Sequence, residues 1–230
     1  MTTATVEKPA SPASSLPAPA ATPAPRSPSP KAKTVLVGFD LGTNKSCLLA
    51  GPAGGSDIAV SKVVPSFVGY VKDGIVDGII AGNARILYGE EALRNMLHVR
   101  LVAPLAAGVV ADPGAARDFI AHIRSLADPA GHAEIRAVVG VPANAGEQAR
   151  EDIRRAAHGL FDRVLLIPEP FLAALGYRDD ARVGQSGYLD PVVNSLFIDI
   201  GGGTSDICLV QGYFPTAEDQ ISIPFAGDAI

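Results

Sequence analysis

The stretch FIDIGGGTSDICLVQG, residues 197–212, decides the fold of this 230-residue chain. It reads as an apolar strand carrying an acid, Asp199, near its end, followed by three glycines and a second apolar strand. Consecutive glycines between two strands cost conformational entropy, so a bare backbone is expected to be needed at this turn. The stretch therefore raises the question of what a carboxylate and a bare turn do together.

The same pattern occurs earlier, in VLVGFDLGTNKSCLLAG at residues 35–51. Both copies run from an apolar strand to Asp, an aliphatic residue and Gly, and then to Thr, a polar residue, Cys-Leu and a closing Gly. Aligned on Cys-Leu, the second turn is two residues longer than the first. Internal similarity of this kind is a fold-level signal, and it predicts two half-domains that open with the same hairpin.

Between the two copies, apolar strand-like runs alternate with helical patterns. In chain order the predicted elements are a helix around 83–98, a helix over 112–127, a strand over 136–142, a helix after Asn144, a strand over 163–168 and a helix over 169–177. Asp112 is placed to cap the second helix, and Asn144 with Glu147 resembles a capping box. The alternation indicates a layered α/β domain with a partly parallel sheet.

The composition of the chain limits which kinds of binding partner are expected. Residues 1–33 are mostly Pro, Ala, Ser and Thr, which predicts an extended, solvated tether. This segment is mildly basic, so the remainder is more acidic than the net charge of −5 suggests, which argues against nucleic acid as a partner. No run approaches the roughly 20 apolar residues of a membrane span, and no signal peptide is recognisable.

The two cysteines, Cys47 and Cys208, and the four histidines form neither a disulfide framework nor a zinc site. Both cysteines lie in apolar strands, where a free thiol usually serves as a small buried hydrophobe. A reducing cytoplasm fits this usage.

The paired hairpins point to phosphate chemistry. A Gly/Thr/Ser turn between strands directs several backbone N–H groups toward one point, and two facing turns can bind a polyphosphate from both sides. Asp40 and Asp199 would then hold a hard divalent cation through its waters. The turns match neither a Walker loop nor a dinucleotide fingerprint, since each leads into a strand. In a single hairpin of this kind, Gly, Thr and Asp usually serve only to form the turn. The matching pair of hairpins favours phosphate binding instead.

The motifs FDLGTNKS and FIDIGGGTSD resemble the two phosphate motifs of the actin superfamily of ATPases, which includes DnaK-type chaperones and sugar kinases. The segments VVGVPANAGEQAREDIRRAA and LIPEPFLAALG resemble its connecting segments, so the likeness runs from Val35 to Ile230. PLAAGVVAD at 104–112, SFVGYVKD and EDQISIPFAGD resemble bacterial actins of the MreB and MamK type, closest to the magnetosome actins. NKSCLLA and EPFLAALGY have a chaperone character.

The resemblance implies an α/β fold: the actin-like (ribonuclease H-like) half of an ATPase, with a mixed sheet flanked by helices and an incomplete second half-domain. The expected organisation is a tail at 1–33, domain I at 34–193 with a small inserted subdomain at about 62–104, and the start of the second half-domain at 194–230.

The resemblance also implies ATP and Mg²⁺ as ligands. Glu169 would orient the attacking water, Asp199 would join it in catalysis, and Asp40 and Asp199 would hold the metal. The expected phosphate-binding set, which also includes Asp40, is Gly42, Thr43, Asn44, Lys45, Gly201, Gly202, Gly203 and Thr204. Lys45 departs from bacterial actins, which usually have a small or neutral residue there; it either adds charge at the phosphates or points into solvent.

The function implied for the intact protein is a cytoplasmic, cytoskeletal ATPase that polymerises with itself, with ATP hydrolysis governing filament turnover. The filaments would organise magnetosome chains or serve rod shape, together with membrane-associated or organelle-associated adaptors. Two alternatives stay open: a DnaK-type chaperone ATPase and a short actin-like accessory or reactivating chaperone. The resemblance implies that later segments complete the nucleotide site, so we expect this chain to be a fragment, in preference to a truncated gene or a natural half-protein, and inactive alone.

Overall fold

The computed structural model describes residues 33–106, 108–201 and 205–223, so all but Lys33 of the predicted tail lies outside the described residues. The strands are β1 (Thr34–Asp40), β2 (Lys45–Pro52), β3 (Val60–Pro65), β4 (Val68–Val71), β5 (Ile86–Tyr88), β6 (Val99–Val102), β7 (Leu105–Ala106), β8 (Val109–Val110), β9 (Glu134–Val141), β10 (Arg163–Pro168), β11 (Ser195–Ile200), β12 (Ser205–Val210) and β13 (Gln220–Ile223). The α-helices are α1 (Gly89–Arg94), α2 (Pro113–Ala127), α3 (Glu147–Ala157) and α4 (Glu169–Tyr177).

The main sheet has five strands in the order β10-β9-β1-β2-β3. Strands β10, β9 and β1 are parallel, whereas β2 and β3 continue the sheet antiparallel. The predicted mixed α/β sheet is thus confirmed. Asp40 pairs with Gly140, and Gly140 with Ile167, so the carboxyl ends of the three parallel strands meet at one edge.

One face of the main sheet forms the core. Along β1 and β2 buried residues alternate with exposed ones, as the two-residue period of a strand requires. Helices α2 and α3 supply the opposing layer, and α2 inserts Phe119, Ile120 and Ile123, none of which is solvent-exposed. The fully buried side chains of this cluster include Leu48, Ile135, Val139 and Val141 from the sheet.

The two predicted helix caps have different outcomes. The Asp112 carboxylate accepts a hydrogen bond from the Ala115 N–H at 2.9 Å, which confirms Asp112 as the cap of α2. The Asn144 prediction is wrong: Gly146 is the N-cap of α3, and no side chain caps it. A turn closed by the Ala145 N–H and the Pro142 carbonyl at 3.0 Å delays the start of the helix beyond Asn144.

The helix predicted around 83–98 is also largely wrong. Only Gly89–Arg94 is α-helical, because the flanking segments pair with β4 as strands β5 and β6. This small sheet, in the order β5-β4-β6, has its own apolar cluster of Ile80, Leu87, Ala92 and Val99. Non-local strand pairing therefore outweighs the helical pattern of the segment.

Strands β11, β12 and β13 form a third sheet, in that order. Cys208 and Val210 are fully buried on one face, whereas Leu196, Ile198 and Ile200 are exposed on the other. Among the described residues no helix is both long and apolar enough to cross a membrane.

Candidate functional site

Four carboxyl groups gather where strands of two sheets end. Asp40 is the last residue of β1, and Glu169 opens α4 directly after β10. Asp199 lies near the end of β11 and faces Asp206 of β12 as its cross-strand partner. Helix α4 contacts β9 and β10 of the main sheet as well as β11 and β12, so it joins the two acid-bearing edges.

An aromatic pair secures this junction. Phe171 of α4 packs edge-on against Phe214, just beyond β12, with ring centroids 4.7 Å apart. Edge-to-face packing at this spacing is the favourable geometry for aromatic rings. The third sheet is therefore attached to the helix that Glu169 opens.

The carboxyl groups act on one another. Burial, followed by the charges of Asp40, Asp199 and Asp206, raises the pKa of Glu169 from 4.5 to about 8. Burial of the carboxyl and then the charge of Asp199 raise the pKa of Asp40, while a hydrogen bond with Glu169 opposes that rise. Asp40 and Asp199, which the sequence places at equivalent turns, therefore face the same site.

The arrangement fits a divalent cation. Asp40 and Asp199 each keep solvent-exposed surface even though neighbouring groups desolvate the Asp40 carboxyl, whereas Glu169 is half-buried, so a ligand can reach Asp40 and Asp199 from the open side. Crowded like charges are relieved by a cation, and hard oxygen donors suit Mg²⁺. Within residues 33–106, 108–201 and 205–223, no three His, Cys, Asp or Glu side chains converge as a direct metal cage.

The first turn, residues 41–44, is held from behind by buried hydroxyls. The Ser66 hydroxyl donates to the Gly42 carbonyl at 2.7 Å, and the Ser66 N–H donates to the Asn44 carbonyl at 2.9 Å. Because that Ser66 hydrogen is used, the Ser46 hydroxyl donates to Ser66 Oγ, 3.0 Å away. A Cβ at Gly42 would collide with the Lys45 carbonyl oxygen, so the turn requires glycine there.

A second hairpin buttresses the same turn. The Gly108 N–H, between β7 and β8, donates to the Thr43 hydroxyl oxygen at 3.3 Å. Gly108 has φ +74°, and a Cβ there would come within 2.9 Å of Pro142 Cγ. A threonine hydroxyl that accepts one bond can still donate its own hydrogen to a ligand. Asn44 and Lys45 are exposed beside it.

The two hairpins match more closely than expected. Asp40 pairs with Cys47, and Asp199 pairs with Asp206. The connections are residues 41–44 and 201–204, so the prediction of a longer second turn is wrong. That prediction aligned Cys47 with Cys208, whereas the residue structurally equivalent to Cys47 is Asp206. Gly201 is exposed, and Gly202, Gly203 and Thr204 lie outside the described residues.

The cysteines differ in their surroundings. Cys208 is fully buried, as predicted, but Cys47 is exposed, so the prediction that both are buried is wrong. Cys47 points away from the core because buried positions alternate along β2.

Sequence reasoning missed two parts of this site. Asp206 lay inside the stretch that decides the fold, and its position opposite Asp199 was the signal that could have identified it. Ser66 had no such signal, because its bond to Gly42 joins positions far apart in the chain.

An apolar depression of about 620 Å³ lies on the main sheet, away from the acids. Its lining includes Leu36, Leu49, Val138 and Leu165, and none of the four carboxyl groups belongs to it. The four carboxyl groups therefore lie at the strand ends and not in this depression.

Comparison with protein families gives a match to the MreB/Mbl protein model over residues 34–230. The actin-like protein MamK of Paramagnetospirillum magneticum is 30% identical over 201 residues, which cover 85% of this chain and 52% of that protein. MamK of Magnetospirillum gryphiswaldense is 31% identical over 199 residues, covering 84% of this chain and 50% of that protein. The chain thus spans about half the length of these relatives.

Solved structures give the same result. The MamK double helical filament is similar with a TM-score of 0.69 and 30% identity, over 85% of this chain and 55% of that one. A non-polymerising MamK mutant bound to AMPPNP has a TM-score of 0.67 and 29% identity, over 86% and 56%. MreB5 of Spiroplasma citri bound to ADP has a TM-score of 0.60 and 26% identity, over 85% and 54%.

Proposed function

Because the chain belongs to the MreB/Mbl family of actin-like cytoskeletal proteins, we propose that the intact protein binds and hydrolyses ATP with Mg²⁺ and polymerises into filaments. The observation that carries the proposal is that Asp40 and Asp199, at equivalent positions of the two hairpins, both act on the pKa of Glu169, which opens α4. Relatives in solved structures are bound to AMPPNP or ADP, and one is a filament, which supports both parts.

Each part of the site has a role in this proposal. Backbone N–H groups of the turns at 41–44 and 201–204 bind phosphate oxygens, with the hydroxyls of Thr43 and Thr204 beside them. Lys45 is exposed next to the first turn, where its charge is available to a phosphate. Asp40 and Asp199 hold the cation through its waters. When bound, Mg²⁺ would neutralise charge on the phosphates.

Glu169 orients the attacking water in this proposal, with Asp199 beside it. Phosphoryl transfer depends mainly on positioning and electrostatic stabilisation, so a carboxylate held over the strand ends suffices for that role. In the ligand-free protein the burial and crowding of Glu169 favour its protonated form at neutral pH. A cation beside it would lower its pKa and return it to the carboxylate that accepts a proton from water.

We further propose that the filaments are cytoplasmic and serve a magnetosome-associated or cell-shape role with adaptor proteins. The relatives named MamK favour the first of these. We also propose the domain organisation of the chain: a tail at 1–33, domain I at 34–193 with its insertion at about 62–104, and a second half-domain from 194.

Co-sedimentation of the intact protein with MgATP tests filament formation, and phosphate release measured alongside tests hydrolysis. We expect ATP-dependent pelleting above a critical concentration. Glu169→Ala should slow phosphate release about a hundredfold while ATP binding stays within about twofold. A cleared supernatant at every concentration would reject the filament, and unchanged turnover would remove Glu169 from its role.

A further inference from the structure

Gly140 occupies the position that the side chain of Glu169 must cross. Gly140 is buried near the carboxyl end of β9, with Asp40 of β1 as its partner on one side and Ile167 of β10 on the other. Glu169 follows β10 yet hydrogen-bonds the side chain of Asp40 on β1. Since β9 lies between these two strands, the stem of Glu169 passes over Gly140.

The space over Gly140 holds no room for a side chain. A Cβ placed there would lie 3.0 Å from Glu169 Cγ, 3.6 Å from Leu172 Cδ1 and 3.7 Å from the Asp40 Cα. Carbon atoms pack favourably at about 3.5–4.0 Å, so the first of these contacts is repulsive. A methyl group at position 140 must therefore displace the stem of Glu169.

The backbone of Glu169 gives little opportunity to absorb this displacement. Glu169 stands between Pro168 and Pro170, both buried, and each proline ring fixes its own φ. Leu172 lies on the adjacent side of the same space. The side chain of Glu169 is thus the part that moves, and its carboxyl group moves with it.

We propose that Gly140 is a positioning residue for hydrolysis: the absence of a side chain there sets where the Glu169 carboxylate stands over the strand ends. This inference rests on the proposed function. It adds a role for a residue that has no side chain of its own. Gly140 acts only by leaving space for the side chain of Glu169.

Gly38 offers a matched control. It lies in the neighbouring strand β1 of the same sheet, and a Cβ there would meet nothing within 4 Å. Gly→Ala changes the unfolded chain in the same way at both positions, so their difference reports the contact with Glu169.

The experiment compares Gly140→Ala and Gly38→Ala in the intact protein. We expect Gly140→Ala to lower kcat for ATP hydrolysis about tenfold, because sub-ångström misplacement of a positioning group is costly. The Kd for ATP should stay within about twofold, since the phosphate-binding turns are untouched. Gly38→Ala should match the wild type in both. A Gly140→Ala variant with wild-type kcat would overturn the inference.

A double-mutant cycle separates positioning from a general packing defect. Glu169→Ala removes Cγ and leaves room for the new methyl group, so adding Gly140→Ala to it should change kcat by less than about twofold. If the two substitutions instead lower kcat independently, so that their effects multiply in the double variant, the inference is overturned. If the Gly140→Ala variant has a lower melting temperature than the wild type, adding Glu169→Ala to it should raise the melting temperature again. A double variant that melts as low as Gly140→Ala alone would also overturn the inference.

A crystal structure of Gly140→Ala without nucleotide gives a readout that does not depend on activity. The Glu169 carboxylate should be displaced relative to the wild type, and an unmoved carboxylate would overturn the inference. If the wild type does not hydrolyse ATP, or Glu169→Ala leaves turnover unchanged, the proposed function fails. The crystal structure then still decides whether Gly140 positions Glu169.

Discussion

The carboxyl groups of Asp40 and Glu169 meet across β9, within hydrogen-bonding reach of each other, although one ends the first strand of the sheet and the other opens α4. Two carboxyl groups can share a hydrogen bond only when one of them is protonated. Because burial and the neighbouring charges raise the pKa of Glu169, the pair retains a proton in the folded protein at a pH where isolated carboxyl groups have lost theirs.

The stability of the ligand-free protein should fall as the pH rises from about 4.5 to about 8. Over that interval Glu169, with a pKa of about 8 in the fold against 4.5 ordinarily, binds more protons in the folded than in the unfolded protein. The free energy of unfolding then decreases with pH, and this contribution is complete below pH 4.5 and lost above pH 8. Urea denaturation across this pH range, without metal or nucleotide, measures it.

Glu169→Gln is the control for this pH dependence, because it keeps the shape of the side chain and removes its titration. Its free energy of unfolding should vary less with pH than that of the wild type. Parallel curves for the two proteins would show that Glu169 is not the group responsible.

Ser66→Ala should destabilise the first turn. The substitution leaves the Gly42 carbonyl and the Ser46 hydroxyl without the partners they have in the fold, and both serines are fully buried. Leaving a buried polar group unsatisfied costs about 1–3 kcal/mol, and we expect a loss in that range by urea denaturation. Binding of ATP by the intact protein should weaken as well, because Ser66 supports the turn that carries Gly42.

Ser125→Ala is the matched control for Ser66→Ala. The Ser125 hydroxyl is exposed and donates only to the His122 carbonyl of its own helix, so its loss should change stability by less than about 0.5 kcal/mol. Equal effects of the two substitutions would contradict the role given to Ser66.

Asp112→Ala should lower the free energy of unfolding by about 1 kcal/mol, because it removes the carboxylate that caps α2 through the Ala115 N–H. Asn144→Ala should have almost no effect, since Gly146 and not Asn144 is the N-cap of α3. Chemical denaturation of the two variants compares them directly. A loss at Asn144 as large as that at Asp112 would show that the boundary of α3 differs in solution.

Cys47 should react with a maleimide before Cys208 does. Cys47 is exposed on β2, whereas Cys208 is fully buried on β12. Partial desolvation of the thiol and the charge of Asp40 raise the pKa of Cys47, so its labelling should be slower than that of a free thiol and faster at higher pH. Mass spectrometry of the native protein over time measures both sites, and Cys47→Ser should abolish the early label. Equal labelling rates would contradict the difference in burial.

Several features could be predicted from the sequence because they depend on local pattern. The duplicated hairpin with Asp40 and Asp199, the strand of residues 163–168 and the helix opened by Glu169 all occur as predicted. The mixed sheet and the family are confirmed as well. In each case a few adjacent residues carry the signal, and their periodicity or repetition is strong.

Two of the errors have a common physical cause. The segment around 83–98 has a helical pattern, but Ile86–Tyr88 within it and Val99–Val102 directly after it pair with β4, and the hydrogen bonds of that sheet are non-local. The two cysteines look equivalent in the sequence, but strand register makes Asp206 the counterpart of Cys47. Register is a relation between two strands, so neither strand specifies it alone.

The sequence by itself determined which residues are available for chemistry: acids at strand ends, bare turns beside them, and a glutamate that begins a helix. The tertiary structure alone decided that these groups meet. Three features join residues from different elements: Asp206 acts on Glu169, Ser66 supports the first turn, and the side chain of Glu169 passes over Gly140. The physical reason is that short-range contacts across β9 and α4 depend on packing in three dimensions, whereas composition and periodicity report only what each segment prefers locally.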